Sequence, residues 1–223
     1  MGVFEGRYRR LVEIVRLVPG QLREAGIVLA RAFHDDPAWS WVIPRAARRE
    51  AALPWIFRVA FEVTEGEVWT TAGELRGCAR WIPPGPTDVN PGAMVRALLG
   101  TPFRVRGAAS RFFAYGRAVE AIRAESVPED HWYLAGLGVD PTHWREGVGS
   151  ALIRPGLLAA DEAGLPCALV TNTERNLPFY ERHGFTVVRE GQTPAGGPPA
   201  WMMRRSPRSP LLTLDASNRH PVA

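Results

Sequence analysis

Residues 137–152 read Leu-Gly-Val-Asp-Pro-Thr-His-Trp-Arg-Glu-Gly-Val-Gly-Ser-Ala-Leu. An apolar run enters a turn, and two glycines, Gly147 and Gly149, open a helical pattern. Chemically this is an anion site. Glycine lets a ligand approach the backbone, and the first N–H groups of a helix lack intrahelical acceptors. Those donors and the positive end of the helix dipole suit a phosphate or pyrophosphate. The same glycines also suit an ordinary tight turn, and by themselves they do not choose. The full dinucleotide fingerprint is missing, with no third glycine at the required spacing and no acidic residue ending the next strand.

Proton acceptors stand in two places. His34, Asp35 and Asp36 follow a helical stretch, and Glu125, Glu129, Asp130 and His131 precede the apolar run. Either group could accept a proton, and Asp35 and Asp36 could instead attract a cation. Each of these residues also suits a solvated loop. Trp39, Trp41, Trp55, Phe57, Phe61 and Trp69 crowd the first third as core residues, one or two of which could stack on a flat ligand. No spacing suggests a metal, and no Ser or Cys sits in a nucleophile-elbow context.

The elements that must hold these residues follow from periodicity. Residues 12–18 read as a strand ended by Pro19-Gly20, and residues 21–33 as an amphipathic helix that Asp36-Pro37 terminates. A helix over 45–63 and a hairpin of strands 67–71 and 75–82 come next. Residues 104–123 form a helix with the stripe Val105, Ala108, Phe112, Tyr115, Val119 and Ile122. Then come strand 133–139, loop 140–146, helix 147–163, strand 167–171, helix 176–183 and paired strands 185–189 and 201–205. Residues 1–205 read as one domain and 206–223 as a poorly ordered tail.

One strand beyond the glycine loop lies Asn176-Leu177-Pro178-Phe179-Tyr180-Glu181-Arg182-His183-Gly184-Phe185. Together the two segments resemble the GNAT acyltransferase superfamily. Within it the chain is most similar to puromycin N-acetyltransferases and related antibiotic-modifying enzymes, which share Asn176 to Arg182, the in-helix Pro155-Gly156 and the late Trp201.

The resemblance implies an α/β (α+β) fold, with a mixed, mostly antiparallel sheet of about seven strands splayed at the cofactor strand. It implies acetyl-CoA as co-substrate and acetyl transfer by direct attack to a primary amine of a small molecule, such as an antibiotic or secondary metabolite. Backbone groups of Leu137, Gly138 and Val139 would meet the pantetheine arm, with Leu137 supplying an oxyanion donor. Arg145, Glu146, Gly147, Val148, Gly149 and Ser150 would wrap the pyrophosphate. Asn176 would hold the pantetheine from the other side, and Tyr180 would protonate the departing thiolate. Trp144 departs from the family, which commonly has Gln or Arg there. Two other readings stand beside this one: acetylation of a protein N-terminus or lysine, and a catalytically silent acyl-CoA-binding module.

Composition narrows the field. The chain has 223 residues, 46% of them hydrophobic and 22% charged, which excludes a wholly disordered or collagen-like chain. No run reaches the roughly 18 uncharged residues of a membrane span, and the charged N-terminal stretch is unlike a signal peptide. A cytoplasmic monomer or homodimer is expected, with neither membrane nor nucleic acid as partner. All 27 basic residues are arginine, yet the net charge is only +4. The basic stretch 96–123, six arginines against Glu120, is too local for a nucleic-acid stripe. Cys78 and Cys167 read as buried free thiols.

Overall fold

A computed structural model describes residues 12–105, 107–193 and 196–208. The chain builds β1 (Ile14–Arg16), α1 (Leu22–Ala32), α2 (Pro37–Val42), α3 (Ala46–Val63), β2 (Glu67–Thr71), β3 (Gly77–Ile82), α4 (Pro91–Val105) and α5 (Ala109–Ser126). It continues with β4 (Trp132–Val139), α6 (Val148–Ala163), β5 (Cys167–Thr171), α7 (Leu177–Arg182), β6 (Thr186–Gln192) and β7 (Pro199–Arg205). Seven strands form one sheet in the order β1-β2-β3-β4-β5-β7-β6. Every described junction is antiparallel except β4–β5.

Two helices escape the periodicity reading. Asp36-Pro37, taken as a stop, is also a start. The Asp36 carboxylate caps α2 by accepting from Ala38 N–H (2.9 Å) and Trp39 N–H (3.3 Å), with Pro37 in the first turn, where its missing N–H costs nothing. Helix α4 carries Gly92, Gly100 and Pro102, residues that argue against a helix when read alone. The helix expected over 104–123 is α5, which starts five residues later. The tail expected over 206–223 lies outside the described residues from 209 onward.

Helices cover both faces of the sheet. On one face α6 buries Val148, Leu152, Ile153, Leu157 and Ala160 against Trp81, Leu134, Leu169 and Met203. Gly156 makes this possible, because a Cβ there would stand 2.2 Å from the Trp81 indole. Pro155 lies inside α6 and removes one backbone donor, so the expected disturbance falls in the turn pressed on Trp81. On the other face, α1 packs on Cys78 and Leu75, and α5 sets Ile122 against Ala168 and Met202. Cys78 and Cys167 are buried and unpaired, and burial pushes their thiols up to about 12 and about 11. No helix among the described residues is long and apolar enough to cross a membrane.

Candidate active site

The sheet opens at β4. Trp132, Tyr133 and Leu134 pair with Cys167, Ala168 and Leu169, and there the parallel pairing ends. On its other side β4 stays paired with β3 out to Val139, with one irregularity: Trp81 faces Leu134 and Arg80 faces Gly136. Ala135 is therefore an extra residue, a bulge that bends the strand away from β5.

The ladder also decides which backbone groups face the gap. Asp140 N–H donates to the Arg76 carbonyl at 2.8 Å. By antiparallel alternation Gly138 then bonds Cys78, while the amides and carbonyls of Leu137 and Val139 turn to the open side. Gly138 has its own reason to be glycine: a Cβ there would lie 2.6 Å from Leu29 and 2.9 Å from Phe33. It seats α1 on the sheet.

The loop beyond is wound tightly. Asp140 accepts from Thr142 N–H (3.1 Å), Thr142 Oγ1 (2.8 Å) and Arg31 (3.0 Å). These partners overcome its partial burial and hold the carboxyl below its ordinary value. Arg145 (φ 67°) and Gly147 (φ 86°) both adopt the left-handed conformation, and Ala151 N–H closes the first turn on Gly147 O at 3.1 Å. The amides of Val148, Gly149 and Ser150 thus head α6 without helical acceptors. Nothing lies within 4 Å of a Cβ built on Gly147, and Gly149 would make only ordinary contact with Phe179. Neither glycine is required by packing within the chain, as befits a backbone that a ligand approaches. The Glu146 carboxylate turns to His143 (3.2 Å) and Arg76 (3.8 Å).

Trp144 has a specific role in the structure. Its indole N–H donates to the Val139 carbonyl at 2.9 Å, occupying one of the groups on the open edge, while the ring stays 54% exposed.

Between β4, β5 and helices α1, α2, α3 and α5 lies a cleft of about 680 Å³. Trp39, Phe57, Phe61, Phe112, Tyr115 and Tyr133 form much of its wall, and Leu137, Asn176 and Tyr180 belong to it. Asn176 Nδ2 reaches Thr171 Oγ1 at 3.4 Å. Tyr180 is 8% exposed and stacks edge-on to Phe179 and Phe185. Burial first, then the Asp36 charge, push its phenol well above the ordinary tyrosine value. Burial likewise raises the Asp36 carboxyl, against the lowering by its two backbone hydrogen bonds and by Arg175.

The acidic candidates separate. Asp36 alone lines the cleft. His34 and Asp35 pair with each other at 2.9 Å outside it, Glu125 pairs with Arg189, and Glu129 with Arg204. Asp130 lies exposed in the loop before β4. His131 stands between the Arg123 guanidinium, 3.0 Å from its Nε2, and the Glu129 carbonyl, 2.7 Å from its Nδ1.

Among the aromatics, Trp41 carries Arg111 and Trp69 carries Arg16, while Trp55 packs on the core around α3. Other polar residues of the cleft, among them Arg80, Tyr115, Arg117, Glu120 and Asn172, are not marked as site candidates by the sequence. Tyr115 donates to Asn172 at 2.6 Å, although its spacing had marked it only as part of an apolar stripe. Arg80 carried a signal, as a lone charge inside the apolar strand Cys78-Ala79-Arg80-Trp81-Ile82.

Residues 108–187 match the family model of the acetyltransferase (GNAT) domain. That stretch, which runs from α5 into β6, is the part of the chain similar to a GNAT domain. An uncharacterized N-acetyltransferase, YafP of Escherichia coli (strain K12), is 33% identical over 69 residues, which are 31% of this chain and 41% of that protein. The chain thus spans less than half the length of this curated relative. In fold it is similar to a structure described as histone acetyltransferase HPA2 and related acetyltransferase from Corynebacterium glutamicum ATCC 13032 (TM-score 0.63, 23% identity, 89% of this chain and 98% of that one). It is also similar to arylalkylamine N-acetyltransferase 2 from Aedes aegypti (TM-score 0.55, 12% identity, 89% and 100%). The seven-stranded, mostly antiparallel sheet flanked by helices is the fold that these GNAT structures share.

Proposed function

We propose that the protein transfers an acetyl group from acetyl-CoA to a primary amine of a small, partly aromatic molecule, such as an antibiotic or another secondary metabolite. The observation that carries this reading is the aromatic cleft of about 680 Å³ that meets the open edge of β4. Its volume is that of a small-molecule site, in the range of roughly 300–1,000 Å³. A groove for a polypeptide would be broad and shallow with acidic rims, and an aromatic cleft speaks against acetylation of a protein N-terminus or lysine.

The residues present fit acetyl-CoA. The unpaired amides of Val148, Gly149 and Ser150, with the Arg145–Gly147 loop, would hold the pyrophosphate. The open edge groups of Leu137 and Val139 on one side and Asn176 on the other would hold the pantetheine arm. When bound, acetyl-CoA supplies the activated acetyl group.

The Leu137 amide would then hydrogen-bond the carbonyl oxygen as it gains charge, an interaction worth about 3 kcal/mol for one such donor. Asp36 would attract the ammonium and take its proton, leaving a neutral amine to attack. Tyr180 would give its proton to the departing sulfur. Burial raises the phenol, which keeps Tyr180 protonated until a thiolate forms beside it.

The silent acyl-CoA-binding reading is favoured by Trp144, which closes the Val139 carbonyl. A thiol-release assay with acetyl-CoA and a panel of primary amines, aminonucleosides included, separates the two. Release with aromatic amines is expected. Silence across the panel, with CoA tightly bound, would establish the binding module instead.

A further inference from the structure

Arg80 stands on β3, on the side of β4 away from β5, and lines the cleft. Its Nη2 bonds the backbone carbonyl of Thr64 (2.9 Å) and the Thr64 hydroxyl, which fixes the guanidinium in place. Its Nε is buried without an acceptor, and among the described residues no carboxylate pairs with it. A cation held in position without a counter-charge is costly in an apolar wall. Burial pushes the guanidinium down to about 10.

The other charged groups of the cleft do not relieve it. Glu120 is held by Arg123, Asp36 caps α2 and belongs to the β5 side, and Arg117 adds a second cation, on α5. One buried cation balances one negative charge, which suits a carboxylate better than a doubly charged phosphate.

We infer that Arg80 is a specificity-determining residue that binds a carboxylate on the acceptor, so that the preferred acceptor is zwitterionic, its ammonium at Asp36 and its carboxylate at Arg80. This rests on the acetyl-transfer reading and narrows it, away from aminonucleosides without a carboxylate and towards aromatic amines whose carboxylate stands several bonds from the ammonium. Arg80 alone sets this preference, and the rim residue Arg117 does not.

Calorimetric titration of the full chain with phenylacetate and with 2-phenylethanol tests the subsite without needing turnover. Phenylacetate should bind at least tenfold more tightly than the alcohol. Arg80→Gln should abolish that difference, Arg80→Lys should keep part of it, and Arg117→Gln should leave it unchanged. Equal binding of the two probes by the unaltered protein would overturn the inference even if Arg80→Gln failed to fold. A preference lost in Arg117→Gln and kept in Arg80→Gln would overturn it too.

Turnover of 4-(aminomethyl)phenylacetate against 4-methylbenzylamine gives the second readout, with the acid expected to lead by tenfold or more in kcat/KM. A faster neutral amine would remove the carboxylate subsite and leave acetyl transfer intact. Phenylacetate binding through Arg80 with neither amine acetylated would do the reverse.

Discussion

Replacing Tyr180 by Phe removes one oxygen from a ring otherwise packed on Phe179 and Phe185. The fold should tolerate the change. Turnover should fall by about 10²-fold, the lower range for one proton donor, while acetyl-CoA affinity stays within a few fold. Unchanged turnover would reduce Tyr180 to a core aromatic.

Asp36→Asn is the companion variant. Asn caps a helix as well as Asp does, so α2 should persist and any loss of rate reports the missing carboxylate. The pH profile separates the two residues. A base at Asp36 would act ionised, and burial raises its carboxyl, so the rate should fall on the acid side above the usual carboxylate range. A proton donor at Tyr180 would act protonated, and burial raises the phenol, so no tyrosine limb should appear below about pH 10. A kcat profile of the unaltered protein and of Asp36→Asn measures both limbs. An acid limb that survives in Asp36→Asn would remove Asp36 as the base.

At the scale of elements, the start of α6 holds the sharpest contrast. Gly147→Val meets no neighbour within 4 Å, yet it forces a β-branched residue to φ 86°, at a cost of roughly 2 kcal/mol. The loop should unwind, and CoA binding, read by calorimetry, should be lost. Gly149→Ala leaves α6 intact or firmer by up to about 1 kcal/mol, so any loss of CoA affinity there reports the blocked backbone alone. Tight CoA binding by Gly147→Val would mean that this loop does not hold the pyrophosphate.

The same region shows what a single sequence can display. Strand, glycine turn and helix were legible at β4–α6 because the turn chemistry is local. The splay followed only from the family resemblance, since it arises where Ala135 slips out of register with β3 and β5 stops pairing, and both are long-range facts. Among candidate site residues, Asn176 and Tyr180 could be named from their short motif. Asp36 could not be told from Asp35, because only α2, itself hidden behind Asp36-Pro37, turns one of them into the cleft.

Across the whole molecule, arginine ties elements together. Arg205 on β7, 3% exposed, makes two bonds to Asp161 on α6 (2.8 and 2.7 Å), and Arg49 holds the carbonyls of His34, Ile43 and Pro44. A lysine could not fork in this way. Despite partial burial, the bonds from Arg205 and the Arg208 amide keep the Asp161 carboxyl below its ordinary value. Its contribution to stability is therefore present at neutral pH and lost as pH falls through that lowered value. Asp161→Asn strands a buried cation and should destabilise the protein by about 3–5 kcal/mol, measurable by urea unfolding at pH 7. A change under 1 kcal/mol would show that Arg205 finds other acceptors.

The gap between β4 and β5 has a kinetic consequence. The glycine loop heads α6 on one face of the sheet, while the aromatic cleft lies under the helices of the other, and the two meet only where the strands part. Acetyl-CoA at the loop and an amine in the cleft would each have a door of their own. Neither must leave before the other enters, so initial-rate plots at several fixed acceptor concentrations should intersect and not run parallel. Free CoA should compete with acetyl-CoA without competing against the amine.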